Sequence, residues 1–251
     1  MNSNKIFISF LVSFWVSVSG MTANNDTLLH HVQNKIYDAF LSSLQDKSPN
    51  RLLNIQQSLK DVPKQNQMGV YWTVYAKFYE SLYYLQMEDK KNASKVIDSA
   101  VSMLENIGNQ NTETLALLAY LQSFSIQFAG GMSAAVISNK VKKNAEAALK
   151  LDNNNLRAWY VMALNDYYTP VAFGGGKKCE EYLLKAIGLK DQTISNPTMP
   201  SWGKSDAYAL LIGYYVNNEN FVRAKEYLNV ALELYPSNYS IIQYVEILKD
   251  K

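Results

Sequence analysis

The sequence predicts an all-α fold in which about five helix pairs stack into an α-α superhelix, a solenoid closed by a C-terminal capping helix. Three observations predict it. Bulky apolar residues recur at helical spacing, as in Trp72, Tyr75, Ala76 and Tyr79, which share one face of a helix. A stripe of small, large and small residues returns along the chain as Ala93, Ile97, Ala100, then Cys179, Leu183, Ala186, then Ala224, Leu228, Ala231. Its small members let one helix approach another closely. The six prolines and eleven glycines fall mostly between these patterns and are few for an all-β chain of 251 residues.

In chain order, residues 1–23 have the composition of a secretory signal peptide. Lys5 precedes a short apolar run from Ile6 to Val16, and small residues follow, with an exit after Gly20 or Ala23. The run is shorter than the roughly 20 residues that span a bilayer, and no lipid-accepting cysteine stands near the exit. Residues 24–251 then form the helical repeat domain. Its first pair is expected at Leu28–Leu41 and Arg51–Val62. The second opens with Trp72 and closes with the Ala93 stripe. The third is expected at Thr112–Phe128 and Ser133–Leu151, turning at Ala129-Gly130-Gly131. The fourth opens at Trp159 and carries an enlarged turn from Tyr167 to Gly176 before the Cys179 stripe. The fifth ends at Pro236, and Tyr239–Leu248 caps the stack. The first half also fits a generic helical bundle.

The fifth pair carries a resemblance. Tyr208, Leu211, Ile212 and Tyr215, then Ala224, Leu228, Ala231 and Pro236, match the tetratricopeptide pattern, with Ile212 in place of its glycine. The chain therefore resembles a divergent tetratricopeptide repeat protein of exported bacterial type. More loosely, through the Tyr-Thr-Pro and Phe-Gly-Gly-Gly insertion, it resembles the T component of TRAP transporters. The first likeness implies a concave face lined by the first helices of the pairs, used to hold a peptide or protein.

Composition excludes several classes. Twenty-four basic against 22 acidic residues leave a net charge of +2, too small a field to gather nucleic acid, and no segment after residue 23 is apolar enough to span a membrane. The two histidines, His30 and His31, are adjacent and point about 100° apart on a helix, so they cannot share one metal; no metal or cofactor is expected. Cys179 is the only cysteine and stands where the repeat wants a small core residue. Asp166 and Glu180 are the carboxylates nearest the enlarged turn, but nothing in their spacing pairs them for acid–base work, so an enzyme is not expected. Gly174-Gly175-Gly176 before Lys177 lacks the first glycine and the terminal Ser or Thr of a phosphate loop and follows a helix. A structural turn is expected there, with Pro170 directing it and Phe173 packing it down.

Residues one position off the core stripes point into the concave face. That rule selects Lys77, Glu80, Tyr84, Tyr120, Ser123, Phe124, Tyr160, Leu164, Tyr167 and Tyr168, while Trp72, Tyr75, Tyr79, Trp159, Tyr208 and Tyr215 are assigned to the core. Tyr84, Tyr120, Phe124, Tyr160, Leu164, Tyr167 and Tyr168 form the candidate partner-binding groove, with the inserted turn Pro170, Phe173, Gly174, Gly175 and Gly176 at its end. Rigid aromatic faces bind at low entropic cost. The expected function is a non-enzymatic periplasmic or secreted module that binds a peptide or protein partner. The alternative is a small-ligand-binding or transport-accessory protein whose turn and neighbouring tyrosines close a pocket.

Overall fold

The computed structural model describes residues 28–62, 66–190 and 196–251. The expected signal segment, and the domain boundary at residue 23, lie outside them. Among the described residues there are eleven α-helices and no strand. They pair in sequence: α1 (Val32–Asp46) with α2 (Asn50–Ser58), α3 (Gln67–Gln86) with α4 (Lys90–Glu105), α5 (Thr112–Ser125) with α6 (Gly131–Leu151), α7 (Leu156–Tyr168) with α8 (Cys179–Gly188), and α9 (Lys204–Asn217) with α10 (Phe221–Leu234). The helix α11 (Tyr239–Ile247) packs on the last pair. The fold is an α-α superhelical solenoid.

Why these segments form helices is visible at their starts and stripes. Asn66, Asp89, Asn111, Asn155, Asn220 and Asn238 each accept an N–H bond from the first turn of the helix that follows. Each such cap is worth about 1 kcal/mol. Second helices bury one narrow stripe: Ala93, Ile97, Ala100 and Leu104 on α4, Val141, Ala145 and Ala148 on α6, Cys179, Leu183 and Ala186 on α8, Ala224, Leu228 and Ala231 on α10. First helices lie between their own partner and the neighbouring pairs, so α3, α5 and α7 are buried around most of their circumference. Side chains from all five pairs join one continuous core.

The first pair differs from its expected bounds. Leu28 and Leu29 are helical, but His31 takes a left-handed φ of 54° and interrupts the path, so that α1 starts at Val32 and runs on to Asp46, where Lys47 at φ 49° ends it. In α2 the last turn tightens to a 3₁₀ turn at Leu59–Asp61.

One connection does more than join two helices. Ahead of α9 the chain crosses the first helices of four pairs. In this strap, Asn196–Gly203, the Pro197 carbonyl accepts from His31 N–H, Trp72 Nε1 donates to the Thr198 carbonyl at 3.0 Å, and Gln33 Oε1 accepts from Ser201 N at 2.8 Å and from Trp202 N at 3.2 Å. Arg157 Nη1 donates to the Pro200 carbonyl at 3.1 Å and to that of Trp202 at 3.4 Å. Arg157 and Glu113 are almost wholly buried and form a two-pronged ion pair, Nε to Oε2 at 2.6 Å and Nη2 to Oε1 at 2.8 Å. Asn155 Nδ2 donates to the same Glu113 Oε1 at 2.8 Å. The strap is thus pinned from α1, α3 and α7.

Candidate functional site

A cavity of about 910 Å³ opens between the C-terminal half of α5, the N-terminal half of α6, the C-terminal half of α7 and the enlarged turn. Its aromatic and apolar walls come from Tyr120 and Phe124 on α5, Ile126 in the 3₁₀ turn after it, Tyr160, Leu164 and Tyr168 on α7, and Pro170 and Phe173 in the turn. On the α6 side, Gly131, Ala134, Ala135 and Ser138 are small. That run of small residues is what leaves the space. Ser138 Oγ donates to Asn165 Oδ1 at 2.9 Å and ties α6 to α7 beneath the cavity. The lining carries hydroxyls and amides but no ionisable acid, base or histidine other than the three phenols.

The walls are braced by rings. Phe124 meets Phe78 edge-on with centroids 5.0 Å apart, Tyr120 lies 5.2 Å from Phe78, 6.2 Å from Tyr160 and 4.8 Å from the strap residue Trp202. Such ring contacts add to the area they bury. Burial pushes the phenols of Tyr120 and Tyr160 well above the usual tyrosine range. At neutral pH both are therefore neutral hydroxyls, able to donate or accept one hydrogen bond and otherwise presenting flat apolar faces.

Of the groove residues chosen from sequence, Tyr120, Phe124, Tyr160, Leu164, Tyr168, Pro170 and Phe173 line this cavity, as does Ser123. Tyr84 and Tyr167 do not. Tyr84 sits near the end of α3 against Tyr83, and Tyr167 turns toward α9, where its hydroxyl accepts from Asn217 Nδ2. Glu80 leaves the groove altogether: it is buried and accepts from Gln56 Nε2 at 2.8 Å, because α2 covers that side of α3. Phe173 does not pack the turn down. It is 83% exposed and stands at the cavity mouth beside Tyr168 and Val171, 70% and 78% exposed, because hydrogen bonds rather than apolar packing hold the turn.

Those bonds account for the glycines. Gly174 N donates to Val171 O at 2.9 Å, Gly175 N to Pro170 O at 3.3 Å, Gly176 N to Asp166 O at 2.8 Å, and Lys178 N to Asp166 Oδ2 at 2.9 Å. The N–H groups that would cradle an anion are already engaged within the turn. Glu180 is likewise taken, by the hydroxyl of Tyr215 at 2.7 Å and by Arg223. Cys179 is buried, and burial raises its thiol to about 12, out of reach of a nucleophilic role at neutral pH. Trp159, assigned to the core, is only partly buried. Its indole N–H donates to Asn153 O at 2.9 Å, and Lys185 Nζ lies 4.4 Å over its ring, so it seals the junction of α7 and α8 from outside. Among the described residues no three His, Cys, Asp or Glu side chains gather where they could hold a metal, and no helix is long and apolar enough to cross a membrane.

The strap was not foreseen from sequence. Its signal is a tryptophan in a linker that otherwise reads as Pro197-Thr198-Met199-Pro200-Ser201. An aromatic of that size in a short connection has to be buried somewhere.

Fold and site together define a helix-pair solenoid with an aromatic-walled cavity between its third and fourth pairs. The solved structure of the HusA haemophore from Porphyromonas gingivalis is similar at 19% identity with a TM-score of 0.55, over 78% of this chain and 94% of that one. That of YrrB, a TPR protein with an unusual peptide-binding site, matches at 14% identity with a TM-score of 0.38, over 82% of this chain and 97% of that one. No family model and no curated protein sequence matches the chain.

Proposed function

We propose that this chain is a non-enzymatic carrier that holds a flat, mostly apolar small molecule in the Tyr120–Phe173 cavity, with tetrapyrroles as the ligand class. The observation that carries this reading is the cavity itself. At about 910 Å³ it falls within the range of small-molecule sites, and its walls combine rigid aromatic faces with a few hydroxyls and amides. A ring system slid between α5 and α7 meets Tyr120, Phe124 and Tyr160 face or edge on. Ionised substituents have to stay at the mouth in water, because no side chain of the lining would compensate their charge. The likeness of the fold to that of a haemophore makes a tetrapyrrole the first ligand to try.

The test is a titration of the purified chain with haemin and with iron-free protoporphyrin IX, read by absorbance and thermal shift. Saturable binding is expected, with stabilisation of about 2.7 kcal/mol at a hundredfold excess over Kd. Leu164→Trp, which puts an indole into the path of the ring system along the α7 wall, should weaken it. No binding of either compound, or binding indifferent to Leu164→Trp, overturns the reading.

A second reading, a protein or peptide partner, is favoured by the exposed apolar rim of Tyr168, Val171 and Phe173. Its occupant would meet the cavity mouth, since the strap already crosses the first helices elsewhere. A partner recovered by pull-down and lost on Tyr168→Ala with Phe173→Ala would favour it over the carrier.

We propose further that the carrier works in the periplasm or outside the cell, after removal of a signal peptide ending at Gly20 or Ala23. N-terminal sequencing of the exported chain is expected to begin at Met21 or Asn24. A chain retained in the cytoplasm with its apolar N-terminal run intact contradicts the placement.

A further inference from the structure

We propose that Trp202, carried by the strap, sets the depth of the cavity and so the size of flat ligand it accepts. This rests on the cavity being the binding site. Trp202 is 6% exposed, and its surroundings are unlike those of a helix-borne core residue. Its ring lies between Tyr75, stacked at 6.2 Å, and Tyr120, at 4.8 Å and tilted by 33°, with the Arg157 guanidinium 5.9 Å from its centroid. Its indole N–H donates to the Tyr71 hydroxyl at 2.6 Å, and its carbonyl accepts from Arg157. The position is over-determined.

Tyr120 is the ring the two regions share. It forms part of the cavity wall while it packs on Trp202, and Tyr160, also in the wall, lies 6.2 Å from Tyr120. The cavity wall on this side is therefore a stack of one phenol and one indole, and the indole fills the space between Tyr120 and Tyr75. Tyr120 cannot turn inward while the indole is behind it. With the indole gone, that space is open to the Tyr120 ring, and the cavity lengthens by what the ring vacates; surrounding structure closes such voids only in part. The strap backbone would stay in place, because Gln33, Trp72 and Arg157 hold its main chain.

The experiment compares two tetrapyrrole probes whose charge sits on one edge, protoporphyrin IX and the bulkier tetraphenylporphyrin with a single sulfonate, on the full chain and on Trp202→Ala and Trp202→Phe. Trp202→Ala is expected to shift the ratio of the two Kd values ~10-fold in favour of the larger probe. Trp202→Phe keeps a ring behind Tyr120 while losing the bond to Tyr71, so it should lower thermal stability and leave the ratio at the wild-type value. A purely structural role would weaken both probes in parallel in both variants, and that result overturns the proposal. So does an unchanged ratio in folded Trp202→Ala. Should Trp202→Ala not fold, Trp202→Leu takes its place with the same ratio read. If the wild-type chain binds neither probe, the carrier reading itself falls; if it binds and only the ratio fails to move, Trp202 alone loses its role.

Discussion

A methyl group placed on Gly175 would sit 1.9 Å from the Thr169 carbonyl oxygen and 2.8 Å from that of Asp166. Both neighbours are backbone, so neither can rotate away. The turn would have to open, breaking the bonds of Gly176 N and Lys178 N to Asp166 that start α8. Gly175→Ala is therefore expected to destabilise the chain by about 2 kcal/mol in urea denaturation, while Gly130→Ala, where nothing stands within 4 Å, should stay within about 0.5 kcal/mol of wild type. The glycine run was legible as a structural turn, because three glycines after a helix and a proline have few other uses. What held the turn was not legible. Nothing in the sequence marks Asp166, just before the turn, as the acceptor for two N–H groups at its far end, and a large apolar residue such as Phe173 reads as packing whether or not the fold covers it.

Single elements were readable wherever one helix face decides the outcome. The stripes on α4, α8 and α10 lie where a period of 3.6 places them, since each of these helices buries one side only. First helices were harder to divide into core and groove, because α3 and α5 are buried nearly all round and a residue one step off the stripe still meets a neighbour, as Glu80 does. The strap was invisible for a different reason. Its bonds join residues 126 apart at Trp72 and Thr198, and 168 apart at Gln33 and Ser201, and local periodicity says nothing about such distances. Its anchor can be tested. Arg157→Met leaves Glu113 buried beside Asn155 alone and releases two strap carbonyls. The expected loss is about 3 kcal/mol. Adding Glu113→Leu removes the stranded charge and should restore much of that loss, because an apolar pair in the same volume needs no desolvated partner. Arg157→Lys is expected to rescue poorly, since one ammonium cannot reproduce a forked pairing with Glu113 together with the strap carbonyls.

A stack of helix pairs touches only its neighbours, so its stability behaves as a sum of local units, and an end pair can come away while the rest stays folded. This chain has a tie that runs against that tendency. The strap leads into α9 in the fifth pair and bonds to Gln33 on α1 in the first, passing Trp72 on α3 and Arg157 on α7. Loss of the α1–α2 pair therefore unpins the strap, and loss of the strap exposes Trp202 and the rings around it. The two ends are therefore expected to unfold together. Gln33→Ala tests this with little disturbance elsewhere, since it removes one side-chain oxygen and leaves the N–H groups of Ser201 and Trp202 without that acceptor. In the wild-type chain, hydrogen exchange in α1 and α2 should proceed with nearly the same opening free energy as in α9, because one tie governs both. In Gln33→Ala, amides of α1 and α2 should exchange faster by about tenfold, as expected for the loss of one to two kcal/mol of hydrogen bonding, while α5 and α7 keep their protection. A uniform increase along the chain would mean that the variant lowers global stability without uncoupling its ends. No change in α1 and α2 would mean that packing on α3 holds the first pair, and that the strap serves only the region around Trp202.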